Sequence, residues 1–205
     1  MYNPPAFAVA DLIEIRAMIR ACPLANFVTA TADGPIATPL PMFLDESEGE
    51  MGTLYAHLAK PNPQWKTQAF GDGLAIFMGP DAYVSPAWYA SKAEHGRVVP
   101  TWNYMTVQAR GPVEFFEGTA RLLDVVSRLT DLHEKDRATA WSVTDAPEAY
   151  VAGQLRGIVG LRMPITALTA KRKMSQNRNQ ADRAGVKQGL SDSGQAADVA
   201  ALIEG

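Results

Sequence analysis

A single cysteine, Cys22, occurs in 205 residues. An intramolecular disulfide is therefore impossible, and so is a cluster of thiolate metal ligands. Scarce thiols fit a reducing compartment, and the expected location is the cytoplasm. No run of about 18 apolar residues occurs, so no membrane-spanning helix is expected. The first residues also lack the charged region and apolar stretch of a signal peptide. The three histidines, His57, His95 and His133, lie far apart without ligand spacing, and no metal site is expected. There is no Gly-x-Gly-x-x-Gly loop, which argues against a Rossmann dinucleotide site. No Gly-x-Ser-x-Gly elbow surrounds any serine, so a serine hydrolase is unsupported. No carboxylate pair is arranged for general acid–base work, and no catalytic residue is assigned. The net charge of −3 and pI of about 5.6 argue against a surface that is wholly a nucleic-acid footprint, while leaving room for a local basic patch.

What is present is unevenly placed. Tyr83, Trp88, Tyr89, Trp102 and Tyr104 fall within 22 residues, interleaved with Ser85, Asn103, Pro86 and Pro100. A plain core would use Leu, Ile and Val, which carry no polar atoms to satisfy. Aromatics mixed with hydrogen-bonding groups and stiff turns suit a flat, partly polar ligand such as a flavin. They also suit half-buried strands or a subunit interface.

Periodicity organises the rest. Asp11 and Glu14 form a capping-box pattern before a helix carrying Leu12, Ile15, Ile19 and Cys22 on one face, stopped by Pro23. Leu24 to Thr31 reads as a strand. Asp33-Gly34 reads as a hairpin turn with positive φ at both residues. The return strand, Ile36 to Leu44, contains Pro39 and Pro41 and belongs at a sheet edge. Thr53 to Ala59 alternates, with Leu54, Ala56 and Leu58 on one face and Thr53, Tyr55 and His57 on the other. Asn62-Pro63 reads as the start of a short helix with Trp65 and Phe70. Leu74 to Met78 is expected to be a strand closed by Gly79-Pro80, and Thr101 to Phe116 a strand interrupted at Gly111-Pro112. Thr119 is read as the cap of a helix bearing Leu122, Val126 and Leu129, and Asp145 to Glu148 as another helix start. Ile158 to Thr169 is a further strand, and helices are expected near Asn179–Gln188 and Gly194–Ile203. About six strands with short links and inserted helices point to α+β with an antiparallel barrel.

Two segments could hold an anion. His57, Lys60 and Asn62 stand where a strand passes into the expected helix, whose N-terminus would offer free amides to a phosphate; the ordinary alternative is a helix cap beside a solvated lysine. Between Lys171 and Lys187 stand six cations (Lys171, Arg172, Lys173, Arg178, Arg183, Lys187) and one acid, Asp182. This stretch could clamp a ligand phosphate or a flavin carbonyl through Lys171, Lys173, Ser175 and Gln176, touch nucleic-acid phosphates, or be a solvated surface.

Together these pieces resemble the FMN-binding negative transcriptional regulator family, the PaiB-like proteins. The resemblance rests on Met1-Tyr2 with Pro4 and Phe7, His57-Leu-Ala with Asn62-Pro-Gln-Trp65, Tyr83-Val-Ser-Pro with Trp88-Tyr89 and Lys92, Val99-Pro-Thr-Trp-Asn-Tyr104, and Lys171 with Lys173 and Ser175-Gln-Asn177. Ala170 departs from the glycine that the family tends to place before Lys171, and Met174 from its usual leucine. The resemblance implies a split β-barrel of the pyridoxamine-phosphate-oxidase-like, antiparallel Greek-key kind, with inserted and C-terminal helices. Residues 1–170 would form the FMN-binding domain, and 171–205 a basic C-terminal segment packing on a homodimer. It implies FMN at the subunit interface. Thr38, Pro39, Leu40, His57, Leu58, Lys60 and Asn62 would line the phosphate and ribityl side, and Trp102 and Asn103 the ring. Lys171, Lys173, Ser175 and Gln176 would reach over from the second subunit. The implied role is a repressor or flavin-dependent sensor, with DNA contact through Lys171 to Lys187. The alternative is a flavin oxidoreductase using NAD(P)H or oxygen on a small molecule.

Overall fold

The computed structural model describes residues 1–194 and 196–204. Gln195, inside the helix expected near Gly194–Ile203, and Gly205 lie outside the described residues. Strand β1 (Ala8–Val9) precedes helix α1 (Leu12–Ala21). The Asp11 carboxylate caps α1 by accepting the Ile13 amide at 3.0 Å. Glu14 faces Arg172 at 3.3 Å. The buried stripe of α1 is Ile15, Met18 and Ile19, the i, i+3, i+4 spacing of one helix face.

Strands β2 (Leu24–Thr31) and β3 (Gly34–Pro41) pair from Leu24↔Pro41 to Thr31↔Gly34. Their two-residue turn is Ala32-Asp33, with positive φ at Gly34 (111°) and not at Asp33, so the expected Asp33-Gly34 turn is shifted by one residue. As its two prolines require, β3 ends the sheet. Strands β4 (Phe43–Asp45) and β5 (Thr53–Ala59) follow. The expected Asn62-capped helix is a single 3-10 turn, Pro63–Trp65. The lysine and proline before the cap and Gly71 after it leave too few residues for helix nucleation to be repaid by propagation.

Strand β6 (Gly73–Val84) continues through Gly79-Pro80, which were expected to close it. Helix α2 (Ser91–His95) and strand β7 (Thr101–Gly111) come next, and Pro112 separates β7 from β8 (Glu114–Phe116), as expected. Helix α3 (Thr119–Glu134) is capped by Gly118, one residue earlier than expected, and buries Leu122, Val125 and Leu129. A 3-10 turn at Val143–Asp145 has a capping box between Ser142 and Asp145 and leads into α4 (Glu148–Leu155). The strand expected over Ile158 to Thr169 is two, β9 (Ile158–Pro164) and β10 (Ala167–Lys173). Helices α5 (Gln180–Ser193) and α6 (Ala197–Ala201) complete the described chain.

The strands form a six-stranded sheet, β1-β10-β7-β6-β2-β3, and a four-stranded sheet, β4-β5-β9-β8. The pairs β1–β10, β2–β3, β2–β6, β4–β5, β5–β9 and β8–β9 are antiparallel. The fold class is α+β, an antiparallel split barrel with helices, as expected.

The chain divides into two compact units, Met1–Met18, Met78–Val107 and Thr169–Gly205 in one, and Ile19–Phe77 and Gln108–Leu168 in the other. The core of the first includes Val84, Tyr89, Met174, Val186, Leu190 and Ile203. In this unit α5 approaches Trp88 through two glycines: a Cβ on Gly185 would lie 2.0 Å from the Trp88 carbonyl oxygen, and one on Gly189 2.4 Å from its indole. The core of the second unit joins Phe43, Phe116, Leu122, Val125, Leu129 and Leu155. Among the described residues no helix is long and apolar enough to cross a membrane.

Candidate functional site

The residues expected to bind a ligand fall into two groups, one in each unit. In the unit containing Lys171, β7 and the loop after β10 lie side by side. Asn103 is fully buried and Ser175 nearly so. The Asn103 Nδ2 donates to the Ser175 Oγ at 3.0 Å, and the Ser175 hydroxyl stands 3.2 Å from Asn103 Oδ1. Ser175 has φ of 64°, in the left-handed region that costs an L-residue energy. The loop is braced by Gln176, whose Oε1 accepts the Met174 amide and whose Nε2 donates to the Arg172 carbonyl, each at 2.6 Å. Lys173 donates to Thr101 Oγ1 and to the Trp102 carbonyl.

Lys171 is only 6% exposed. Its ammonium lies 3.4 Å from the Tyr2 carbonyl and 5.2–5.8 Å from the ring centres of Tyr104, Tyr2 and Phe7, an aromatic cage for a cation. Ala170 pairs with Val9 in regular strand with no positive φ. Its Cβ therefore imposes no strain where the family tends to have glycine. The Arg178 guanidinium lies 4.6 Å from the Tyr89 ring centre. Burial lowers the pKa of Lys173, and the charges of Lys171 and Arg178 lower it further. Among the described residues none of these three cations has a carboxylate in ion-pair contact, whereas Arg172 has Glu14 at 3.3 Å and Glu204 at 3.7 Å.

The aromatic cluster separates by role. Tyr89 is core and Tyr104 covers Lys171. Tyr83, Trp88 and Trp102 line a cavity of about 430 Å³ together with Ser85 and Asp81. Tyr83 and Trp102 meet edge to face at 6.2 Å, and each is about half exposed, at 48% and 52%.

In the other unit the centre of the polar group is Gln64, which the sequence reading passed over. It is 1% exposed. Its Oε1 accepts from Thr38 Oγ1 at 2.6 Å, and its Nε2 donates to Thr29 Oγ1 at 3.0 Å and the Ile36 carbonyl at 3.2 Å. Asn62 Nδ2 donates to Thr38 Oγ1 at 3.0 Å, while Asn62 Oδ1 accepts the Gln64 amide at 2.9 Å. The available signal was the Asn-Pro-Gln-Trp string: the amide directly after the capping Asn62-Pro63 turns inward here. Pro39 is exposed and Leu40 buried on the alternating faces of β3. Lys60 lies 2.5 Å from Glu117, with both side chains partly exposed.

The helix N-terminus expected to offer amides to an anion is a three-residue turn, in which the Asn62 side chain already accepts the Gln64 amide. His57 and Leu58, being adjacent in β5, point to opposite faces. Leu58 is 1% exposed in the core. His57 lines a cavity of about 230 Å³ beside α3 and α4, and burial lowers its pKa.

Chemically, the first group offers clustered positive charge, an aromatic slot, and fixed hydroxyl and amide groups. That set suits an anionic aromatic ligand.

The family described as "Putative FMN-binding domain" matches residues 1–167. The chain is 32% identical over 183 residues to the Bacillus subtilis protease synthase and sporulation protein PAI 2, covering 89% of this chain and 85% of that protein. Among solved structures it is similar to the flavocytochrome Anf3 from Azotobacter vinelandii, with a TM-score of 0.60, 16% identity, and 86% of this chain and 74% of that one covered. It is also similar to the FAD and heme binding protein from Mycobacterium smegmatis, with a TM-score of 0.57, 14% identity, and coverage of 81% and 73%.

Proposed function

This chain belongs to the FMN-binding domain family, with FMN as the cofactor, and from that premise we propose that it is a homodimeric, cytoplasmic flavin-dependent regulator. The similar Bacillus subtilis protein carries sporulation in its name, which favours a role in cellular control over housekeeping chemistry. The observation that carries the site is the clustering of Lys171 and Arg178 about Lys173, with none of the three in ion-pair contact with a carboxylate among the described residues and only Arg178 close enough to act on one, the buried Asp182. Cations gathered in this way stabilise an anion placed among them.

In this reading the FMN phosphate lies against Lys173 and its cationic neighbours. Trp102 contributes the aromatic wall, and Asn103, Ser175 and Gln176 fix the loop that carries the lysines. The 430 Å³ of the neighbouring cavity is within the range of small-molecule pockets. Thr38 and Asn62, with Lys60 at the surface, are the contacts proposed from the other group, and Gln64 positions Thr38 and Asn62. His57 and Leu58 face apart and are not proposed at one site. The homodimer places flavin at the subunit interface. When bound, FMN supplies one- and two-electron redox chemistry.

DNA contact belongs to the same proposal and is narrower than the sequence implied. Of the six cations from Lys171 to Lys187, only Lys187 is exposed. The others are buried, stacked or paired to varying degrees, while the Lys187 ammonium donates only to the Ile203 carbonyl at 3.3 Å, so the proposed DNA footprint centres on Lys187 and its copy in the dimer.

The test is a visible spectrum of purified protein after FMN addition and gel filtration, with the mass measured by ultracentrifugation. Retained flavin and a dimeric mass are expected. Loss of flavin or a monomer overturns the reading. Saturable reduction of the bound flavin by NAD(P)H would instead favour the oxidoreductase reading.

A further inference from the structure

Tyr2 and Phe7 stand at the two ends of one short segment and meet over Lys171, each with its ring centre 5.8 Å from the ammonium. The segment adds little to the core. Tyr2 is 84% exposed, and the 3-10 turn Pro5–Phe7 buries no residue. Pro4 and Pro5 fix two of its φ angles, so it behaves as a stiff piece. Asn3 ties it to β10, with Nδ2 donating to the Ala170 carbonyl at 2.9 Å, and β1 follows it into the sheet edge at Ala8↔Lys171.

Two buried groups are poorly served by this arrangement. An ammonium has three hydrogens to donate. That of Lys171, in a side chain only 6% exposed, has one hydrogen bond among the described residues, to the Tyr2 carbonyl at a long 3.4 Å. The Asn3 Oδ1 is buried and has no hydrogen-bond partner among the described residues. Lifting the segment would give both groups to water, so desolvation opposes the contacts that hold it down.

We propose that Met1–Phe7 is a strap over Lys171 that an entering phosphate group displaces, so that the chain gates its own anion site. The inference rests on the assignment of the FMN phosphate to Lys171, Lys173 and Arg178. A phosphate offers Lys171 short, charge-assisted bonds in place of one long carbonyl contact. It cannot reach the ammonium while the Tyr2 backbone and the rings stand over it. Phosphate binding and strap closure therefore exclude each other at Lys171, and FMN affinity is lowered by the fraction of chains that are closed. Riboflavin has no phosphate to place there and escapes this brake.

The test compares the unaltered chain with the double variant Tyr2→Ala, Phe7→Ala, which removes two walls of the cage and keeps Lys171. Access to Lys171 is read without flavin, as its rate of acetylation by acetic anhydride relative to the exposed Lys92, by mass spectrometry. FMN and riboflavin affinities are read by fluorescence titration. In the unaltered chain Lys171 should react at least about tenfold more slowly than Lys92, because it reacts only through the open fraction. The double variant should remove most of that difference and bind FMN about fivefold more tightly or better, with riboflavin affinity unchanged. The strap is overturned if Lys171 reacts as fast as Lys92 in the unaltered chain, if the variant leaves its rate unchanged, or if the variant binds FMN no more tightly. Equal FMN affinities beside a faster Lys171 sink the strap and leave the cofactor assignment standing. Failure of both chains to bind FMN sinks the assignment and the gate with it. Should the double variant fail to fold, Tyr2→Ala alone, at a largely exposed residue, should move both readouts in the same direction.

Discussion

Ser175 and Asn103 hold each other through a two-way contact, with the serine hydroxyl 3.0 Å from the amide nitrogen and 3.2 Å from the amide oxygen of one buried side chain. The serine also takes a left-handed conformation, φ 64°, where glycine would be easier. The loop carrying Lys173 and Arg178 is thus fixed by a polar lock in place of a flexible residue. Ser175→Ala should destabilise the chain by about 2 kcal/mol, because it strands a buried amide and keeps the strained backbone. Ser175→Gly loses the same bond but relieves the φ, and should be about 1 kcal/mol more stable than the alanine variant. Urea unfolding of the two variants checks the order.

Gly185 and Gly189 let α5 close on Trp88. In an exposed helix, Gly→Ala adds about 1 kcal/mol of stability. Here the sign reverses. Gly185→Ala would set a methyl 2.0 Å from a backbone oxygen, which cannot rotate away. A loss of roughly 2 kcal/mol or more is expected by thermal denaturation. Gly189→Ala meets an indole at 2.4 Å and should also destabilise. It should further disturb the cavity that Trp88 lines.

Acid should weaken the fold in two stages. Burial lowers the His57 pKa below its ordinary 6.5. As the pH falls below that value the unfolded chain takes up the proton first, so stability declines. The Tyr55 hydroxyl and then Arg162 hold the Glu48 carboxylate below its ordinary 4.5, against the opposing effect of burial, so a second decline begins below that pH. Melting temperatures between pH 7.5 and 4 should show both, and His57→Phe should remove the first alone.

The alternation and turn residues made β2 and β5 legible to the residue, and Pro39 and Pro41 marked β3 as an edge before any coordinates. The two-residue strand β1 was not legible, since so few residues carry no period, and the break between β3 and β4 was not foreseen within the strand expected over Ile36 to Leu44. Proline misled in both directions: β6 passes through Pro80, which was expected to close it, while β9 stops at Pro164, through which one strand was expected to run. At the candidate site, the sequence set Asn103 beside the ring and Lys173 and Ser175 on a second subunit, whereas within this chain Asn103 is hydrogen-bonded to Ser175 and Lys173 donates to the Trp102 carbonyl. Gln64 was missed because its role comes from Thr29, Ile36 and Thr38, which only sheet register brings to it. The caging of Lys171 by Tyr2 and Phe7 depends on β1 pairing with β10, a contact between the two ends of the sequence that no local pattern foretells.

If DNA is the regulated partner, Lys187→Glu should weaken its binding and reduce the dependence of affinity on salt by about one unit of slope per altered phosphate contact. Mobility-shift titrations at several salt concentrations measure this. An unchanged slope would remove the Lys171–Lys187 stretch from the proposed DNA surface.

The central claim is that the Lys171, Lys173 and Arg178 cluster receives the FMN phosphate. The direct measurement compares FMN with riboflavin, which lacks only the phosphate, by fluorescence titration of the apoprotein and of Lys173→Gln. The account predicts that the unaltered chain prefers FMN by at least about tenfold. The substitution should erase most of that preference while leaving riboflavin affinity unchanged. Equal affinities in the unaltered chain, or an equal fall for both flavins in the variant, would contradict it.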